Sequence, residues 1–158
     1  MRKLIVFYSY GGNTRSIAEM IQKAIGCDME EIKTVQPYTG DYMTVVDQGK
    51  QEVNSGYMPE ILPLSVNIED YDQIILGSPI WWYTFAPAVK TFLSRYALSG
   101  KEIFPFSTNG GWPGHFLKDV RKACVKADVK EGIEIRFDNN RLVTREDEVT
   151  SWIQRMLN

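Results

Sequence analysis

Residues 9–16, SYGGNTRS, directly follow the apolar run KLIVFY. Two adjacent glycines, Gly11 and Gly12, let the backbone close around a small group, while Ser9, Asn13, Thr14 and Ser16 add hydroxyl and amide groups. Placed at the start of a helix, such a loop offers converging N–H groups and the positive end of the helix dipole to an anion. A phosphate monoester fits this chemistry without a lysine. The spacing is neither the G-x-x-x-x-G-K of a nucleoside-triphosphate loop nor the G-x-G-x-x-G of a dinucleotide fold. The same residues also read as a flexible turn into a helix with Asn13 as its N-cap.

Two further segments carry chemistry. GSPIWWYTFAP, residues 77–87, sets Trp81, Trp82 and Tyr83 in a row between Pro79, Ile80 and Thr84. Three consecutive large aromatics cannot all face a core, so they form either a wall for a flat apolar ligand or a subunit contact. STNGGWPGH, residues 107–115, offers Ser107, Thr108, Asn109, Gly110 and Gly111 as backbone donors to the polar edge of a ring, with Trp112 over a face or rim. Its plainer reading is a glycine-rich turn with one tryptophan folded onto the next helix. Together the three segments describe a phosphorylated, flat, heteroaromatic ligand.

These segments need a frame that brings them to one place. Strand patterns cover residues 3–9, 27–34, 73–78, 102–108 and 132–137, alternating with helical patterns, as in a layered α/β domain. Ile17, Met20, Ile21, Ala24 and Ile25 share one face of a first helix that Gly26 ends; Val89, Phe92, Leu93 and Tyr96 share one face of a third. Composition, with a weaker periodicity, places a second helix over residues 41–54; Leu117, Val120 and Cys124 mark a fourth over 114–127, and Thr144 with Asp147 predicts a capping pair for a fifth. Runs such as LIVFY, IIL and IFPF are apolar throughout and read as strands buried on both faces, whereas DMEEIKT and IEIRF read as edges. That gives a three-layer, doubly wound, five-stranded parallel sheet in the order 2-1-3-4-5. All three chemical segments then leave the C-terminal ends of central strands.

Bulk properties exclude other classes. The chain has 158 residues, 44% of them apolar, which suits a single domain over residues 1–158. Its 18 basic and 20 acidic residues form no basic run, which argues against a nucleic-acid partner or an anionic membrane surface. No stretch has the length of a membrane span, and the N-terminus lacks a cleavage site, so a cytoplasmic protein is expected. Cys27 and Cys124 are isolated, and Lys33 and Lys130 stand six residues on, where a thiol phosphatase needs arginine; no metal site is expected. His115 reads as a solvated or capping group, and Tyr57 and Met58 as packing.

On IVFYSYGGNT, YDQIILGSPIWWYTFAPAVKTFL and LSGKEIFPFSTNGG the chain resembles short-chain flavodoxin-like proteins along its whole length. The resemblance implies non-covalent FMN, its phosphate in the loop formed by Ser9, Tyr10, Gly11, Gly12, Asn13 and Thr14, and its ring between residues 79–84 and 108–112. A ligand crevice where the strand order reverses is a rule for which flavodoxin is itself an example, so its location comes with the resemblance. The implied role is electron transfer, with a redox partner protein or a small electron acceptor, as monomer or homodimer. The alternatives are an FMN-dependent NAD(P)H or quinone reductase and a cofactor-free interaction module. Similar proteins often place glycine after the aromatic pair, where a peptide can turn toward the reduced flavin N5. Here Tyr83 stands, and its bulk predicts that positive φ is disfavoured, against a dedicated one-electron carrier.

Overall fold

Strand β1 (Lys3–Phe7) shows how the sheet is filled. Its side chains alternate, Leu4 and Val6 into one hydrophobic cluster and Ile5 and Phe7 into another, and all four are fully buried. A strand apolar at every position from Leu4 to Phe7 needs cover on both faces. The computed structural model describes residues 1–157, which leaves Asn158 outside the described residues. Helices α1 (Asn13–Ile25) and α5 (Glu146–Met156) cover one face with Ile17, Ile21, Val149, Trp152, Ile153 and Met156. Helices α3 (Pro87–Arg95) and α4 (Phe116–Ala123) cover the other with Val89, Phe92, Phe116 and Val120, and α2 (Tyr42–Ser55), with Val45 buried, packs beside α3.

Parallel pairing runs β2 (Asp28–Glu31), β1, β3 (Gln73–Trp81), β5 (Glu102–Asn109) and β7 (Ile133–Asp138). This is the 2-1-3-4-5 order expected for the five main runs. Three two-residue strands are added. β4 (Thr84–Phe85) folds back antiparallel on the end of β3, β6 (Asp128–Val129) pairs with the start of β5, and β8 (Arg141–Leu142) closes a hairpin on β7. The fifth run is therefore not the bare edge its alternation suggested. Its break between β6 and β7 lies opposite Phe104 and Pro105, and proline has no N–H to give to a ladder.

Some ends differ from the sequence reading. α4 covers Phe116–Ala123 instead of residues 114–127, with His115 as its N-cap. The expected Thr144–Asp147 capping pair does not form, because Thr144 Oγ1 accepts the Arg136 N–H at 2.7 Å and Arg145 is the N-cap of α5. Glu146, Asp147 and Glu148 in the first turn complement the helix dipole instead. α2 starts as its composition suggested, with Asp41 Oδ1 accepting the Thr44 N–H at 2.8 Å. Both cysteines are unpaired, and burial pushes the Cys124 thiol up to about 11 and raises that of Cys27, so neither favours the nucleophilic thiolate.

Gly77 lies inside β3, where a Cβ would stand 2.2 Å from Cζ of the fully buried Phe106. Gly77→Ala is expected to destabilise the fold by about 1–3 kcal/mol through overpacking. The check is a urea transition, whose midpoint should fall with its slope unchanged.

Candidate functional site

The loop after β1 forms an open cradle. Gly11 and Gly12 hold φ of 85° and 98°, and a Cβ on either would meet nothing within 4 Å. Gly12, not Asn13, is the N-cap of α1, and no side chain caps it. No described hydrogen bond uses the amides of Gly11, Gly12, Asn13 or Thr14, so these four donors around the cradle have no partner among the described residues. Side chains shape the loop instead. Ser9 Oγ accepts from the Arg15 amide at 3.1 Å, Ser16 Oγ donates to the Asn13 carbonyl at 2.8 Å, and Asn13 Nδ2 donates to the Asn139 carbonyl at 2.8 Å. Arg15 is paired with Glu31 at 2.5 Å, which leaves the cradle to backbone dipoles. Thr14 is buried, its Oγ1 2.7 Å from Oγ1 of Thr108, and this contact ties the first segment to the third.

The aromatic segment is a hairpin rather than a loose loop. β3 runs on through Pro79, Ile80 and Trp81, and Ile80 and Trp81 pair with Phe85 and Thr84. Trp82 and Tyr83 are left as a two-residue turn with φ of 50° and 74°. Positive φ at both positions is what the right-handed twist of a two-residue hairpin demands, and it is normally met by Asn-Gly. The expectation that Tyr83 would avoid positive φ is thus overturned, because hairpin geometry outweighs local preference. Neighbours hold the turn from both sides. Trp82 Nε1 donates to the Val46 carbonyl at 3.0 Å, and Lys50 Nζ sits 5.2 Å from the Trp82 ring centroid. Across the turn the His115 amide donates to the Tyr83 carbonyl at 2.8 Å. Thr84 Oγ1 donates to Asp119 Oδ2 at 2.5 Å, and the same carboxylate oxygen contacts His115 Nδ1.

A pocket of about 270 Å³ opens between this hairpin and α2, lined by Tyr10, Tyr42, Val45, Val46, Gly49, Ile80, Trp81 and Trp82. Tyr10 belongs to the cradle, so anion site and aromatic pocket adjoin. Trp81 is partly buried and stands on Gly49, where a Cβ would come within 3.1 Å of its ring. Tyr8, Tyr10 and Tyr38 surround it edge-on, and burial, with Tyr10 next, raises the Tyr8 phenol above its ordinary range.

The third segment contributes differently from the sequence reading. Ser107 and Thr108 are buried inside β5, and the Gly111 amide is taken by Asn109 Oδ1 at 2.8 Å. Gly110 is open, with nothing within 4 Å of a Cβ built there, and Trp112 stands 76% exposed. None of these residues lines the pocket between the hairpin and α2.

A family model for flavodoxin matches residues 2–156. The chain belongs to the flavodoxin family. A Bacteroides eggerthii protein, provisionally described as a flavoprotein, is 30% identical with a TM-score of 0.83 over 99% of this chain and 98% of that one. A flavoprotein of Lactobacillus acidophilus, crystallised in complex with FMN, is 25% identical with a TM-score of 0.74 over 96% and 97% of the two chains. The oxidised flavodoxin 2 of Bacillus cereus, at 20% identity and TM-score 0.57 over 99% and 96%, shares the fold. No match is found among curated proteins.

Within this flavodoxin frame, several residues that position the site escaped the sequence reading. Gly49 was the legible one, since a glycine inside a helix costs about 1 kcal/mol against alanine and signals a close neighbour. Asp119 lies four residues after His115, the spacing of neighbours on one helix face. Nothing in the sequence marked Val46, whose contribution is a backbone carbonyl.

Gly114 has φ of 61°, and a Cβ there would fall 2.1 Å from the Tyr83 carbonyl oxygen. Gly114→Ala is expected to displace the turn, shift the Trp82 emission, and cost about 1–3 kcal/mol. Tyr83→Gly should have the opposite sign, raising stability by about 1 kcal/mol, because the left-handed strain removed exceeds the added chain entropy for a residue 56% exposed. Urea denaturation monitored by tryptophan emission measures both.

Proposed function

We propose that the chain binds FMN non-covalently and carries electrons between a redox partner protein and a second acceptor in the cytoplasm, as one domain. The observation that carries this reading is the junction of the two halves of the site. Four unpartnered amides at the start of α1 suit a phosphate, and Tyr10 leads from them into the pocket walled by Trp81 and Trp82. The relative crystallised with FMN supports the choice of ligand. Bound there, FMN would supply the redox chemistry.

The residues of this chain would have three tasks. Gly11, Gly12, Asn13 and Thr14 would hold the phosphate through backbone N–H groups. Trp81 and Trp82 would supply apolar ring surface, with Trp81 braced by three tyrosines so that its plane is fixed before the ligand arrives. The turn would present the peptides around Tyr83 in the positive-φ conformation already built into the fold, which favours the carrier reading that the residue type had opposed. Residues 107–112 remain candidates for the outer edge of the ring through Gly110 and Trp112.

One observation favours a reductase as second reading. A separate pocket of about 220 Å³ lies against β4, lined in part by Tyr57, Thr84, Lys90 and Asp119. A small acceptor there would be next to the turn.

Titration of the purified chain with FMN, followed by quenching of flavin emission, tests the proposal. Saturable binding at one equivalent is expected, weakened at least about tenfold, or 1.4 kcal/mol, in Gly12→Val, whose side chain cannot hold the cradle's positive φ. Absence of binding would leave the interaction-module reading. Rapid NAD(P)H oxidation by the loaded protein alone would select the reductase.

A further inference from the structure

Trp81 lies in a box of oxidisable rings. Its centroid is 4.9 Å from that of Tyr38, 5.9 Å from Tyr8 and 5.9 Å from Tyr10, while Tyr10 and Tyr38 are 6.5 Å apart. The tyrosines differ in where a phenolic proton can go. Tyr38 donates its hydroxyl hydrogen to Glu52 Oε1 at 2.6 Å, and Glu52 Oε2 accepts from Gln48 Nε2 at 2.9 Å. Glu52 is only 9% exposed. Among the described residues, the hydroxyls of Tyr8 and Tyr10 have no hydrogen-bond partner. A phenol gives up an electron readily only when its proton leaves with it, since the radical cation is a strong acid. A carboxylate already bonded to the hydroxyl takes that proton with no rearrangement of heavy atoms.

We propose that Trp81, Tyr38 and Glu52 form a relay that carries an oxidising equivalent out of the aromatic pocket. A one-electron oxidant of the carbonate-radical or peroxyl-radical class removes one electron from the Trp81 indole and is itself reduced to carbonate or to the hydroperoxide anion. Tyr38 returns one electron to Trp81 while its phenolic proton moves to Glu52 Oε1. The products are a neutral indole, a neutral phenoxyl radical and a carboxylic acid. A soluble thiol or ascorbate then supplies one electron to Tyr38, approaching through a separate pocket of about 380 Å³ that Tyr38 lines with Gln48 and Glu52, and Glu52 returns the proton. The relay would spare the wall of the pocket from covalent oxidation, a use that rests on the pocket being a flavin site.

Pulse radiolysis of the full chain with azidyl radical tests the relay with no flavin present, in a Trp112→Phe background that removes the most exposed indole. The expected result is first-order loss of tryptophanyl absorbance matched by growth of tyrosyl absorbance, retained in Tyr8→Phe and lost in Tyr38→Phe. Glu52→Gln should slow the phase, and so should deuterium oxide in the Trp112→Phe background, which requires no substitution within the pocket. Persistence of the phase in Tyr38→Phe, or indifference to both Glu52→Gln and deuterium oxide, would overturn the relay. Because flavin is absent, a chain that failed to bind FMN would leave this result standing, and a failed relay would leave FMN binding untouched.

Discussion

The site depends on a turn that its own residues dislike. Trp82 and Tyr83 both occupy the left-handed region, at roughly 1–2 kcal/mol each for residues with a Cβ. The hydrogen bond from the Trp82 indole to Val46 and the one from the His115 amide to the Tyr83 carbonyl offset that cost, as does Thr84 on Asp119. These partners come from α2, from β4 and from the start of α4, so the turn is where the helices on one face of the sheet meet its C-terminal end. Trp81, next to the turn, packs on Gly49 and is braced edge-on by Tyr8, Tyr10 and Tyr38. Strain held in this way by surrounding structure is typical of sites that must be rigid before a ligand arrives.

The cradle follows another logic. It uses no cation, since Arg15 is committed to Glu31, and relies on amides that the start of any helix leaves unsatisfied. What distinguishes this helix start is that Gly12 caps it without a side chain, while Ser9, Asn13 and Ser16 spend their polar atoms on the loop's own backbone and on Asn139. The free amides are therefore available to an anion. The Thr14–Thr108 contact fixes the cradle to β5 within the core, so the anion site does not drift relative to the aromatic hairpin.

Much of this was legible in the sequence, and the failures have physical causes. Strand order was readable because burial on two faces forces unbroken apolar runs, as in β1, and an edge permits charge, as in β2. The glycine pair and the aromatic triplet were readable as unusual. The hairpin was not, because a Trp-Tyr turn defies the local preferences by which two-residue turns are recognised. Asn13 looked like an N-cap, yet the cap is Gly12, since the true first turn begins one residue earlier. Ser107 and Thr108 fell within the expected strand and were also read as donors to a ring edge, yet β3 and β7 pair along both their sides and bury them. The clamp formed by Gly114, His115 and Asp119 joins residues about thirty positions from the turn, a distance that periodicity cannot bridge.

The central claim is that one ligand spans the amide cradle and the aromatic pocket. The most direct measurement is a residue-resolved amide spectrum of the labelled chain during addition of FMN. The account predicts that the amides of Gly11, Gly12, Asn13 and Thr14 shift in step with ring-current changes at Tyr10, Trp81 and Trp82, all saturating at the same concentration, while the Trp82 indole resonance keeps its hydrogen-bonded position. Shifts confined to one of the two regions, or saturating separately, would contradict it.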